Sequence, residues 1–296
     1  MSPFDKLNFK EPEMSFKRTF LPDEKRVEKL INYIKKDVAF YAQSASEKSC
    51  PNNKSGAISP LAQRSLEKKI YSTVEKCVRG CYKQKGEECA ACDLSRCKKC
   101  DDCSCRDKAK NAAREFMKSI PDICIALSAD AEATFKGDPS CEDETIVKHC
   151  FPGFFAISVY RIAHEFYVRG VPYFPRILTE YAHSRTGIDI NAGAKIGKNF
   201  LIDHGTGVVI GETAEIGDDC RIYQGVTLGA LSLKGRCSAS EKRHPTIGNG
   251  VVIYANATIL GGKTVIGDNA VIGGNAFIIR SVPSGAKVVT EPTDVG

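Results

Sequence analysis

Ile202-Asp203-His204-Gly205-Thr206-Gly207-Val208-Val209-Ile210-Gly211 decides the fold, because its two isoleucines belong to a series that returns every six residues. The series runs Ile190, Ile196, Ile202, then Ile210, Ile216, Ile222, Leu228, then Ile247, Ile253, Ile259, then Ile266, Ile272, Ile278. Glycine often follows, as in Ile196-Gly197, Ile210-Gly211, Ile216-Gly217, Ile247-Gly248, Ile266-Gly267 and Ile272-Gly273. Small or aliphatic residues recur four places on, at Phe200, Ala214, Cys220, Val226, Val251, Ala257, Ala270 and Ala276. A period of six is neither the 3.6 of a helix nor the 2 of a half-buried strand. It is the hexapeptide signature of a parallel β-helix. Each short strand points one aliphatic side chain into a narrow interior, a tight turn follows, and neighbouring coils stack those side chains.

The register breaks three times. Ile202 to Ile210 is two residues too long, Leu228 to Ile247 carries a long basic loop, and Ile259 to Ile266 is one residue too long at Gly261-Gly262. Insertions in repeat proteins map to loops on a binding face. The first two breaks hold Asp203-His204 and Lys242-Arg243-His244-Pro245, the main polar chemistry of this half.

The net charge of +6 over 296 residues is modest, and Lys and Arg are interspersed with Asp and Glu outside local clusters near 76–110 and 234–243. This argues against nucleic acid as a partner. A basic loop beside glycine-rich repeats suits a phosphorylated small molecule. No apolar run reaches the roughly 18 residues of a membrane span. Met1-Ser2-Pro3-Phe4-Asp5-Lys6 has no apolar signal core, so the expected location is cytoplasmic.

The first half reads as helical. Residues 1–20 are expected to form a flexible arm, 21–185 a helical domain, 186–285 the β-helix and 286–296 a short tail. Expected helices run from Asp23 to about Gln43, from near Ser59-Pro60, from Ala112 to Pro121, from Ile123 to Phe135, from Cys141 to Lys148 with Ser140 as N-cap, from Phe155 to Tyr167 and from Ile177 to Ser184. The fold class is α+β, all-α first and coiled β second.

Eight of the fourteen cysteines fall between 77 and 105, at Cys77, Cys81, Cys89, Cys92, Cys97, Cys100, Cys103 and Cys105. Paired C-x2-C spacings set two thiolates on one tetrahedral ion. The expectation is a structural zinc insertion, with an iron–sulfur cluster second and a metal-free hairpin as the bland alternative.

Gly137-Asp138-Pro139, Tyr160-Arg161-Ile162-Ala163-His164, Gly187-Ile188-Asp189-Ile190, Ile202 through Thr213, Tyr223 through Gly229, and Arg243-His244-Pro245 together resemble the serine O-acetyltransferases of cysteine biosynthesis. The resemblance covers most of residues 137–282 and implies that the β-helix is left-handed. It implies transfer of acetyl from acetyl-CoA to the hydroxyl of L-serine, giving O-acetylserine and CoA without an acyl-enzyme. His204 would be the general base, with Asp189 holding its other ring nitrogen. Asp138 and Asp203 would receive the serine ammonium, and Arg243 and His244 its carboxylate and hydroxyl side. Gly229, Ala230, Ala255, Gly273 and Gly274 would leave backbone open to the CoA arm. His164 and His183 match family positions and are expected to be structural.

The resemblance also implies a homotrimer, or a dimer of trimers, with the site between subunits, and feedback inhibition by L-cysteine. Two features depart from it. Asn191 stands where many members have His, and Val282 to Val288 lacks the usual Gly-x-Pro-Ala-Arg contact to CoA, leaving Lys263 or Lys287 for that role. The short tail after the coil speaks against the sulfhydrylase complex that some members form. Two competing readings are a hexapeptide acyltransferase for another acceptor, and a non-catalytic trimeric scaffold with a cysteine-rich docking module.

Overall fold

The computed structural model describes residues 22, 25–32, 34, 60–85, 104–231 and 241–289. Its helices are α1 (residues 25–32), α2 (Pro60–Lys85), α3 (Ser104–Gly137), α4 (Glu144–Cys150), α5 (Pro152–Val168) and α6 (Phe174–Thr186). Fourteen short parallel strands follow among the described residues.

Successive strands visit three sheets in rotation. The first face holds β1 (Asp189–Ile190), β4 (Val209–Ile210), β7 (Thr227–Gly229), β10 (Thr258–Leu260) and β13 (Phe277–Ile278). The second holds β2 (Lys195–Ile196), β5 (Glu215–Ile216), β8 (Thr246–Ile247) and β11 (Val265–Ile266). The third holds β3 (Leu201–Ile202), β6 (Arg221–Ile222), β9 (Val252–Ile253), β12 (Val271–Ile272) and β14 (Lys287–Val288). The chain is therefore a parallel coil with three faces and three corners.

The six-residue series becomes three interior columns. Ile190, Ile210, Leu228, Ile259 and Ile278 stack along the first face. Ile196, Ile216, Ile247 and Ile266 stack along the second. Ile202, Ile222, Ile253, Ile272 and Val288 stack along the third. The small residues four places on are buried at the corners, including Ala214, Cys220, Val226, Ala257 and Ala270. Burying one such aliphatic side chain is worth about 1.5–3 kcal/mol, so the columns supply the cohesion that two-residue strands lack.

Two helix boundaries differ from the sequence reading. Pro121 was expected to separate two helices, yet α3 runs through it. Phe116, Ile120, Ile123 and Cys124 are all buried around the proline. Ser119 Oγ donates to the Phe116 carbonyl at 2.9 Å. Tertiary packing on both sides outweighs the one hydrogen bond that proline removes. The cap of α4 is Asp143, not Ser140: its side chain accepts from the Thr145 amide at 2.8 Å. The expected helix up to about Gln43 is seen over residues 25–32 and at 34, and its remainder lies outside the described residues.

The helices are fastened to the coil by a buried ion pair. Asp130 on α3 is fully buried and takes a bidentate contact from Arg161 on α5, at 2.5 Å (Nε–Oδ2) and 2.8 Å (Nη2–Oδ1). Asp130 also accepts from the Phe200 amide at 2.9 Å, and Arg161 donates to the Gly197 carbonyl at 2.7 Å. Burial pushes the Asp130 carboxyl upward, and Arg161 and the Phe200 N–H oppose it. Removing one partner leaves the other charge buried and unpaired, which costs about 3–5 kcal/mol. Asp130→Ala is accordingly expected to move the denaturant midpoint far below that of the parent protein. An unchanged midpoint would show that this clasp does not hold the halves together.

Candidate active site

The candidate residues collect at two corners of the coil. The corner between the third and first faces carries Asp203 and His204. Its two extra residues form a turn with φ of +55° at His204, +84° at Gly205 and +82° at Gly207. A Cβ at Gly205 would fall 2.4 Å from Ile188 Cδ1, so only glycine closes this turn. The turn carries the His204 ring outward, leaving it 75% exposed with Nε2 3.7 Å from Asp203 Oδ1.

Asp138 reaches the same corner from the end of α3. Its Oδ1 accepts from Ser140 N at 2.9 Å and Ser140 Oγ at 2.7 Å. These bonds hold its carboxyl below the usual range, and the fields of His204 and Arg221 lower it further. Asp138, Asp203 and His204 are thus brought together.

Asp189 is not in contact with His204. Among the described residues its ion pair is with Arg176, at 3.7 Å. Asp189 opens β1, one coil from His204 and beside Val209, while the raised turn points the imidazole outward. Arg176 also pairs with Glu180, and His183 Nδ1 lies 3.4 Å from Glu180. His183 is half-buried, and His164 Nδ1 meets the Ala192 carbonyl at 2.8 Å.

The second corner, between the first and second faces, carries Arg243 and His244 at the end of the long loop. Arg243 is paired with Glu212, whose other oxygen accepts from Tyr167 Oη of α5 at 3.0 Å. His244 is buried against Gly211, where an added Cβ would fall 2.0 Å from the ring. The Thr213 amide donates to His244 Nδ1 at 3.0 Å, which leaves the ring proton on Nε2. Thr213 Oγ1 accepts from the amides of Arg243 (2.9 Å) and His244 (3.1 Å). Burial, then Arg243, pushes the imidazole down to about 4. At neutral pH His244 is an uncharged hydrogen-bond donor, while His204 stands in solvent at the other corner.

The face between the two corners is about four extended residues wide, Val208 to Gly211, or on the order of 13 Å. One small amino acid cannot bridge that within a single chain. The expected CoA residues divide the same way. Ala255, Gly273 and Gly274 follow β9 and β12 on the His204 corner, and Gly229 and Ala230 lead into the Arg243 corner.

No protein-family model matches the chain. It is 48% identical over 182 residues to a plasmid-borne serine acetyltransferase of Synechococcus elongatus, covering 60% of this chain and 57% of that protein. It is 44% identical over 173 residues to serine acetyltransferase of Mycobacterium tuberculosis, covering 58% of this chain and 73% of the relative. The L-cysteine complex of serine acetyltransferase 1 from Entamoeba histolytica superposes with a TM-score of 0.65 at 30% identity, covering 88% of this chain and 99% of that one. The chain belongs to the serine acetyltransferase family. A coenzyme A complex of serine acetyltransferase from Brucella abortus superposes with a TM-score of 0.56 at 25% identity, over 88% and 93% of the two chains. The chain spans a little over half the length of the Synechococcus relative.

Four residues of these corners escaped the sequence reading. Glu212 and Thr213 lie inside the stretch that carried the serine acetyltransferase resemblance, but nothing in their spacing marks them as the seat of Arg243 and His244. Tyr167 is hidden on an apolar helix, and Arg221 in an ordinary strand. Of the expected metal ligands, Cys77 and Cys105 are buried in the helical core. Burial pushes the Cys77 thiol up to about 12. The side chain of Cys81, and all of Cys89, Cys92, Cys97, Cys100 and Cys103, lie outside the described residues. Among the described residues, no helix is long and apolar enough to cross a membrane.

Proposed function

We propose that this chain transfers acetyl from acetyl-CoA to the hydroxyl of L-serine, in a left-handed coil assembled as a homotrimer. One observation carries the reading: the family's two sets of polar residues are both built, but at opposite corners of one face. Copies related by a threefold axis would set the His204 corner of one against the Arg243 corner of the next. After Asp189 on the first coil, the outward residues of that face, Val209, Thr227, Thr258 and Phe277, are uncharged, and Phe277 is 66% exposed. The second face instead carries the Lys195–Glu215 pair. A face that is uncharged and partly apolar beyond its first coil suits burial against another copy.

In this reading Asp138 and Asp203 take the serine ammonium and Arg243 takes its carboxylate. His204 removes the hydroxyl proton as oxygen attacks the thioester carbonyl, and returns it to the departing CoA sulfur. Asp189 takes up the imidazolium once substrate orders the ring, since catalytic hydrogen bonds are often loose before binding. His244, neutral and a donor at Nε2, contributes a hydrogen bond and no charge. L-Cysteine has the same ammonium and carboxylate and competes at this site, in line with the Entamoeba complex. For the cysteine-rich segment we propose structural four-thiolate zinc binding by the eight cysteines from Cys77 to Cys105, on spacing alone. We place the reaction in the cytoplasm.

Release of free CoA thiol tests the reading. Turnover is expected with acetyl-CoA plus L-serine and not with sugar acceptors. Turnover with sugars alone would replace serine as the acceptor, and none with any acceptor would favour a scaffold.

A further inference from the structure

Of the three breaks in the six-residue register, the one at Gly261-Gly262 has no part in the chemistry described so far. It adds nothing to the interior, since Ile259 and Ile266 fall into their columns on either side of it. It lies between β10 and β11, at the same corner as the long loop between β7 and β8 and on the next coil. The end of that loop is therefore held from two sides. On the preceding coil, Thr213 Oγ1 accepts from the Arg243 and His244 amides, and Glu212 takes the Arg243 guanidinium. On the following coil, the backbone of Lys242 and Arg243 rests on Gly262. A Cβ at Gly262 would fall 2.1 Å from the Lys242 carbonyl oxygen and 2.9 Å from Arg243 Cα. Both are backbone atoms, so no rotamer change could make room for a side chain there.

Gly261 lies against the other end of the loop. Its φ is +103°, its N–H donates to the Gly229 carbonyl at 3.0 Å, and a Cβ built on it would come 3.5 Å from Leu231 Cβ. The dipeptide thus meets the loop where it leaves the coil and where it returns. Buried Thr264 closes the turn: its amide donates to the Gly261 carbonyl at 3.0 Å and its hydroxyl to the Leu260 carbonyl at 2.6 Å. Lys242 straps the return from the preceding coil. Its Nζ donates to the Thr213 carbonyl at 2.7 Å and lies 3.6 Å from Glu215, whose other oxygen pairs with Lys195 at 3.0 Å.

We propose that Gly262, with the Lys242 strap, is the seat that sets how far Arg243 reaches, and so positions its guanidinium for the serine carboxylate. This rests on the acetyl-transfer reading above. Gly262 and Lys242 act through Arg243 and are positioning residues. A side chain at Gly262 must lift the Lys242–Arg243 backbone while Thr213 and Glu212 hold it on the other side. A binding constellation tolerates only about 0.5 Å of such displacement.

Initial-rate kinetics on the assembled protein test this. Gly262→Ala is expected to raise the KM for L-serine about tenfold, the low end of what a charge-assisted hydrogen bond supplies, with kcat within about threefold and the KM for acetyl-CoA within about twofold of the parent. Gly267→Ala is the control, because its Cβ would fall 2.4 Å from Ser284 N at the corner between the second and third faces. It is expected to leave the serine KM at the parent value. A parent-like serine KM in assembled Gly262→Ala protein would overturn the proposal and leave the functional reading intact. An equal rise in the KM for acetyl-CoA, or in the serine KM of Gly267→Ala, would also overturn it, by showing a general disturbance of the coil. If Gly262→Ala does not assemble, Lys242→Met decides, since that side chain is 34% exposed and its loss spares the coil. Its serine KM is expected to rise about threefold, and a parent value would overturn the proposal. A parent protein that does not turn over L-serine would sink the functional reading and this proposal with it.

Discussion

His204→Ala is expected to lower turnover of L-serine by at least about a hundredfold at saturating acetyl-CoA, the low end of what loss of a general base costs. The serine hydroxyl is a poor nucleophile while protonated, and no other side chain at that corner is an evident base. Asp138 is held deprotonated by Ser140 and is spoken for by the ammonium. The site's other histidine, His244, is buried, with its Nδ1 occupied by the Thr213 amide and its ring pushed down to about 4. It is poorly placed to substitute. The variant should fold normally, because the ring is 75% exposed. It should still bind CoA in calorimetry. Turnover within a few-fold of the parent would remove His204 from the role of base.

Arg243→Ala is expected to lower kcat/KM for L-serine by roughly 10- to 150-fold, mostly through KM. A charge-assisted hydrogen bond to a carboxylate is worth about 1.5–3 kcal/mol. The KM for acetyl-CoA should hardly change, since the Arg243 guanidinium is held by Glu212. Arg243→Lys should recover little, because a lysine ammonium cannot reproduce the planar fork that engages a carboxylate and Glu212 together. A serine KM that stays at the parent value would assign Arg243 to holding the loop on Glu212.

The coil was legible because its physics is local and periodic. Each aliphatic of the six-residue series from Ile190 to Ile278 could be placed before any coordinates, since a six-residue step returns the chain to the core whatever the surrounding sequence. The helical half resisted where packing overrules local preference. Pro121 looks like a helix end, yet buried neighbours on both sides carry α3 through it. Ser140 looks like a cap, but it is engaged by Asp138, and Asp143 caps α4 instead. The site was legible by residue and not by arrangement. Asp138, Asp203, His204, Arg243 and His244 were each identified, whereas their separation onto two corners was not. That separation was present in the sequence as a count: strands rotate through three faces, and the insertions after Ile202 and Leu228 fall on consecutive corners of that cycle. Glu212 and Tyr167 were out of reach, because a carboxylate in a repeat turn and a tyrosine on an apolar helix meet only once the helices pack on the coil.

The division of the site between copies of the chain is tested most directly by mixing. His204→Ala and Arg243→Ala proteins, each weakly active at L-serine well below the KM, are dissociated together, reassembled and assayed at that serine concentration. If each site takes His204 from one copy and Arg243 from the next, random threefold assembly restores about one quarter of the sites to full composition. Activity should then rise to about a quarter of the parent level. Reassembled mixtures that stay at the level of the separate variants, with subunit exchange verified, would contradict a shared site and place the reaction within single chains.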